Sequence, residues 1–170
     1  MDMVTRAATK AARALLALLR ARKLKLAAAE SCTGGLLTAT LTEIPGSSDV
    51  VDRGFVTYSN AAKQKMLGVP ARTLTKFGAV SPQTALAMAK GALSHSDADI
   101  AVSITGIAGP GGGSIQKPVG LVHIAAATRG TRIHHECRFG DIGRAKVREK
   151  SVLEAFAMLR ALARKPHRGK

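Results

Sequence analysis

The chain has 170 residues, a formal net charge of +15 and a hydrophobic fraction of 46%. That length suits one compact domain with a sizeable core, and no apolar run reaches the ~20 residues that a membrane span needs. Two cysteines are too few for a disulfide scaffold and point to a reducing cytoplasm, while the charge makes a polyanion a candidate partner.

Met1 to Arg22 is rich in Ala, Leu and Arg, and Leu15, Leu16, Leu18 and Leu19 recur at helical spacing. An amphipathic first helix is predicted there, not a cleaved leader. Lys23 to Ala29 reads as a strand, and Thr33 to Leu41 as a helix that stops before Pro45-Gly46. Val50 to Tyr58 reads as a second strand. Asn60 can cap a short helix through Leu67, ended by Gly68 and Pro70. Ser81-Pro82, a capping hydroxyl before a proline at the first helical position, starts a helix to about Ser94. Ile100 to Thr105 is a short buried strand, followed by the glycine-rich loop Gly106 to Gly120. Leu121 to Ala127 and Ile133 to Phe139 pair as a hairpin across "TRGT", and a final amphipathic helix spans Arg144 to Ala163. Helices alternate with strands early and a hairpin comes late. The expected fold is α/β, one domain of three α/β/α layers around a mixed sheet of about five strands. Much of the charge lies near the ends, at Arg20, Arg22, Lys23 and Lys25, then at Arg160, Arg164, Lys165, Arg168 and Lys170. With no Trp and one Tyr, single-strand stacking platforms are disfavoured. A basic solvated surface accounts for the charge as well as a nucleic-acid site does.

The stretch "AAAESCTGGLL" places hydroxyls and a thiol where the first strand hands over to a helix. Ligands of open α/β sheets bind at the carboxyl ends of strands. A helix starting just after Ser31 would aim unpaired N–H groups at that hydroxyl, as acyl transfer requires. The plainer alternative is that Ser31 or Thr33 only caps the helix. A serine nucleophile needs a base. His95, His123, His134, His135 and His167 are poorly placed, and His134 and His135, adjacent on a strand, face opposite ways. No HExxH or paired-cysteine spacing suggests a metal. Lys63 is the better base: in the first turn after an Asn60 cap, helix dipole and burial would both disfavour its ammonium. Tyr58 could orient that amine or relay a proton. The alternative is surface lysines and a strand-packing tyrosine. Thr105-Gly106-Ile107-Ala108-Gly109-Pro110 and the glycines after it could form an anion-binding nest or a plain surface loop.

Taken together, "AESCTGG", "GFVTYSNAAKQKMLGV", "GAVSPQTALAMAKGA", "SITGIAGPGGGSIQKPVG" and "FGDIGRAKVREKSVLEA" resemble the CinA C-terminal domain family, over roughly Leu24 to Ala163. The resemblance implies a free-standing, cofactor-free amidohydrolase that converts nicotinamide mononucleotide to nicotinic acid mononucleotide and ammonia. It implies Ser31 as nucleophile, Lys63 as base, Tyr58 beside it, and Thr105 as a hydrogen-bonding partner in the site. Cys32, Thr33, Gly34, Gly106 and Gly109 are expected to bind substrate, and Arg144, with Arg148, to suit its phosphate. No metal is implied, and a homo-oligomer is expected. The family often reads Phe-x-Gly-Asp-Arg where this chain has Phe139-Gly140-Asp141-Ile142-Gly143-Arg144, so the spacing around Arg144 is altered. Cys32 competes with Ser31 as nucleophile but is expected to turn towards the core. Other readings are a DNA-associated accessory protein and a binder of some other phosphorylated amide.

Overall fold

The computed structural model describes residues 4–165. Met1, at the start of the predicted first helix, and His167, Arg168 and Lys170 of the basic tail lie outside the described residues. The helices are α1 (Arg6–Ala21), α2 (Leu36–Thr42), α3 (Asn60–Leu67), α4 (Ala71–Phe77), α5 (Pro82–Ser94) and α6 (Arg144–Arg164). The strands are β1 (Leu26–Glu30), β2 (Val51–Val56), β3 (Ile100–Gly106), β4 (Leu121–Thr128) and β5 (Arg132–Arg138).

The strands form one sheet in the order β2-β1-β3-β4-β5. β1 runs parallel to β2 and β3, whereas β4 and β5 are antiparallel additions. The mixed α/β arrangement is therefore the one the element pattern predicts.

Strand alternation sorts the core into two unlike layers. Leu26, Ala28, Ile100, Val102, Ile104, Val122, Ile124 and Ala126 face α1, α2 and α6, in a cluster with Leu15, Leu19, Leu37, Phe156 and Leu159. The opposite face is lined with smaller groups. Ala27, Ala29 and Ala101 meet Met88 and Ala92 of α5, and Ala125 and Ala127 meet Ala85 and Ala89. Alanine on both surfaces lets α5 sit close to the sheet. Gly91 continues that economy, because a Cβ there would overlap the Leu67 carbonyl at the end of α3.

Local chemistry explains most of the boundaries. Thr5 caps α1 by accepting the Ala8 N–H, and Ser81 caps α5 by accepting the Thr84 N–H ahead of Pro82. Two expectations need correction, and one element was not foreseen. The cap of α3 is Ser59, whose Oγ accepts the Ala62 N–H, so Asn60 is the first helical residue. α2 starts at Leu36, not Thr33, because Gly34 and Gly35 take positive φ values of 56° and 95° and prolong the turn. Finally, α4 occupies a stretch after Pro70 that carries too few apolar positions to stand out.

Candidate active site

β1, β2 and β3 all end at the same edge of the sheet, and β1 lies between the other two. The chain leaves β1 towards β2 and later crosses over to β3, so this edge is a topological switch point. A cavity of about 270 Å³ opens there, between Ser31, Lys63, Thr105 and the Gly106–Gly112 loop. Cys32, Tyr58, Ala79, Val80 and Arg144 complete its wall, so its lining holds two basic side chains, Lys63 and Arg144, and no carboxylate.

Ser31 is the first residue beyond β1. Its N–H donates to the Ile104 carbonyl of β3, which pins its backbone to the neighbouring strand. Lys63 approaches from α3. A helical side chain leans back towards the N-terminus, so Lys63 reaches the residues preceding its own helix. Its Nζ lies 3.0 Å from Ser31 Oγ and donates to the carbonyls of Thr57 at 2.8 Å and Tyr58 at 3.4 Å. The residue is only 1% exposed, and among the described residues no carboxylate pairs with it. Burial lowers its pKa from the ordinary lysine value of 10.5. Nζ donates to three acceptors, the two carbonyls and Ser31 Oγ; a neutral amine could keep the two carbonyl bonds and turn its lone pair to the Ser31 hydroxyl.

Cys32 is buried among the core side chains, and burial pushes its thiol up to about 12. A thiol so reluctant to ionise is a poor nucleophile. The N–H groups at the α2 terminus, expected to face the Ser31 hydroxyl, are already engaged. The Gly35, Leu37 and Thr38 amides all donate to the Glu30 carboxylate, which also accepts the Thr38 hydroxyl. Sequence reasoning assigned Glu30 no role, and its signal is weak because the carboxylate acts five to eight residues ahead. With that terminus occupied, the N–H of Cys32, next to Ser31, donates to no protein oxygen among the described residues.

Tyr58 does not orient the amine with its hydroxyl. Lys63 uses the Tyr58 carbonyl, while the phenol, on a side chain 61% exposed, accepts from Arg144 at 3.1 Å. Arg144 also donates to the Gly109 carbonyl at 3.0 Å, tying the mouth of the cavity to the glycine loop. The altered spacing before it therefore still delivers its guanidinium to the cavity wall. Thr105 donates to the Ala79 carbonyl at 2.8 Å, and Gly106 and Gly109 line the wall. Thr33, Gly34 and Arg148 do not line the cavity, which separates them from the other candidates. The described histidines lie elsewhere. His123 and His134 bond each other at 3.0 Å, and His135 pairs with Glu154 across the sheet from them. Among the described residues no group of three His, Cys, Asp or Glu side chains could hold a metal ion.

The model of the CinA C-terminal domain family matches residues 8–163. A Caldicellulosiruptor bescii protein, named provisionally for competence-damage induction, is 55% identical over 147 residues, 86% of this chain and 35% of the relative. A CinA-like protein of Akkermansia muciniphila is 48% identical over 142 residues, covering 84% of this chain and 34% of its own length. The chain thus spans about a third of the length of these curated relatives. Among solved structures, the competence/damage inducible protein CihA from Agrobacterium tumefaciens superposes with a TM-score of 0.92 at 56% identity. That superposition covers 95% of this chain and 99% of that one. With the family model matching nearly the whole chain, this protein belongs to the CinA C-terminal domain family.

Proposed function

We propose that this site hydrolyses a carboxamide by a Ser31/Lys63 mechanism, with nicotinamide mononucleotide as substrate. The observation that carries the reading is the 3.0 Å contact between Lys63 Nζ and Ser31 Oγ, in a site whose burial lowers the lysine pKa. Neutral Lys63 takes the hydroxyl proton as Oγ attacks the amide carbon, and the Cys32 N–H meets the oxygen that becomes negative. Collapse of the tetrahedral species breaks the C–N bond, and the Lys63 ammonium returns its proton to the departing nitrogen, releasing ammonia. Water then adds to the Ser31 ester with Lys63 again as base, and cleavage of the ester frees the acid and restores the serine. Arg144, cationic and on the cavity wall, suits the substrate phosphate.

Ammonia release from nicotinamide mononucleotide is the direct test. Wild type should turn over, Ser31→Ala and Lys63→Ala should lose turnover while keeping the fold, and Cys32→Ala should retain it. A well-folded wild type that releases no ammonia overturns the reading. A second reading, association with DNA, has support in α1, which carries Arg6, Lys10, Arg13 and Arg20 with no acid, and in the net charge of +15. It predicts binding that weakens steeply with salt. Loss of all binding at physiological salt would end it.

A further inference from the structure

We propose that Arg148 is a positioning residue for Ser31, acting through the turn that carries the nucleophile; the proposal rests on the hydrolase reading above. Ser31 opens a four-residue turn in which its carbonyl accepts the Gly34 N–H at 3.0 Å. The peptide joining Thr33 to Gly34 is held at both ends. Its N–H closes the turn onto Ser31, and its carbonyl accepts from Arg148 Nη2 at 2.6 Å and from the Leu36 N–H at 3.1 Å. The guanidinium lies over the turn, because a Cβ built on Gly34 would stand 3.9 Å from Nη2. Arg148 reaches this turn from α6, so the docking of the last helix and the placement of the nucleophile are one event.

A surface arginine kept only for stability would have an acid or open water around its donors. Arg148 has neither advantage at Nε, which is buried with no hydrogen-bond partner, and no carboxylate pairs with it among the described residues. Its charge reaches the neighbourhood of the nucleophile: Arg144 and Arg148 both ease ionisation of the adjoining Cys32, although burial outweighs them. Acyl transfer builds negative charge beside that residue. Arg148 stands outside the cavity wall and Arg144 on it, which divides two arginines that the sequence treats alike.

The experiment is steady-state kinetics of Arg148→Met and Arg148→Lys on nicotinamide mononucleotide, beside the rate at which a fluorophosphonate labels Ser31, followed by intact mass. A misplaced nucleophile costs about 10²-fold in kcat, with KM within about threefold of wild type. Labelling should slow in step, and Arg148→Lys, which keeps a donor for the Thr33 carbonyl, should lose less. A raised KM at unchanged kcat and unchanged labelling would make Arg148 a phosphate ligand and overturn the proposal. Circular dichroism checks the fold; if Arg148→Met does not fold, Arg148→Lys decides by the same two readouts. A wild type that labels at Ser31 but releases no ammonia overturns the hydrolase reading alone, and labelling then decides Arg148. A wild type that does neither overturns both.

Discussion

Lys63 is the residue whose environment contributes most to the chemistry and least to stability. Burying an ammonium without a counter-ion is costly, and the two carbonyls around Nζ can also accept from a neutral amine. The pKa sits below the ordinary 10.5 because burial disfavours the charged form. Two pH effects follow. Turnover should climb with pH as Lys63 loses its proton. Stability should climb as well, because between the folded pKa and 10.5 the unfolded chain binds more protons than the native one. Urea melts from about pH 7 to about pH 9, below the range where the raised Cys32 and Cys137 thiols act in the opposite sense, should show that rise in wild type, and Lys63→Met should flatten it. An unchanged slope in the variant would mean that Lys63 is charged in the native state. Tyr58 offers the opposite case. Its phenol is exposed and meets only Arg144, so Tyr58→Phe should shift stability by less than about 0.5 kcal/mol. Its kinetic effect should be a rise in KM of up to roughly tenfold, about 1.4 kcal/mol, near the low end for a hydrogen bond to a charged group.

At the scale of elements, the short helix α2 depends on one side chain. Its N-cap is a glycine with no side chain to offer, and the Glu30 carboxylate does the capping from the end of β1. Glu30→Gln keeps the shape but sets an NH₂ group against N–H donors. It should cost about 1–3 kcal/mol in a urea melt and loosen the Ser31 turn at the same time. A loss of activity without loss of stability would show that the cap is not what Glu30 supplies. α5 tests packing in place of capping. Gly91→Ala would drive a methyl group into the Leu67 carbonyl, so α3 must move away from α5. We expect about 1–3 kcal/mol from overpacking, together with lower turnover, because α3 carries Lys63. If turnover is untouched while stability falls, the position of α3 is less tightly coupled to the site than the contact implies.

Over the whole molecule, charge and architecture act separately. With 26 Lys and Arg against 11 Asp and Glu, the compact state repels itself. The described ion pairs are few and largely exposed, so they offset little of this. Raising ionic strength from about 0.01 M to about 0.15 M shortens the Debye length from roughly 30 Å to roughly 8 Å, and the melting temperature should rise. A fall would mean that specific surface pairs outweigh the repulsion. The architecture localises the site independently of that charge. Three parallel strands end at one edge, and the first of them lies between the other two, which leaves a crevice that backbone and side chains from distant segments can share.

Most of the fold was legible because its signals are local. The leucines of α1 at helical spacing, Ser81-Pro82 ahead of α5 and the hairpin around "TRGT" each carry their own structural instruction, and alternation of helix and strand implied a mixed sheet. Ser31 and Lys63 were nameable because they lie at the end of a strand and the start of a helix, Thr105 and Arg144 because their motifs resemble those of the family. Three things depended on the assembled molecule. Glu30 was mute as a lone acid, because its partners come from a helix whose start two glycines displace. The Tyr58 hydroxyl turned to Arg144 across 86 residues of chain, and Arg148 turned to Thr33 across 115. Propensity, capping and periodicity are properties of neighbours along the chain, so the sequence alone determines the elements and their order. Which orphan donor meets which distant acceptor depends on how those elements pack, and only the tertiary structure decides it.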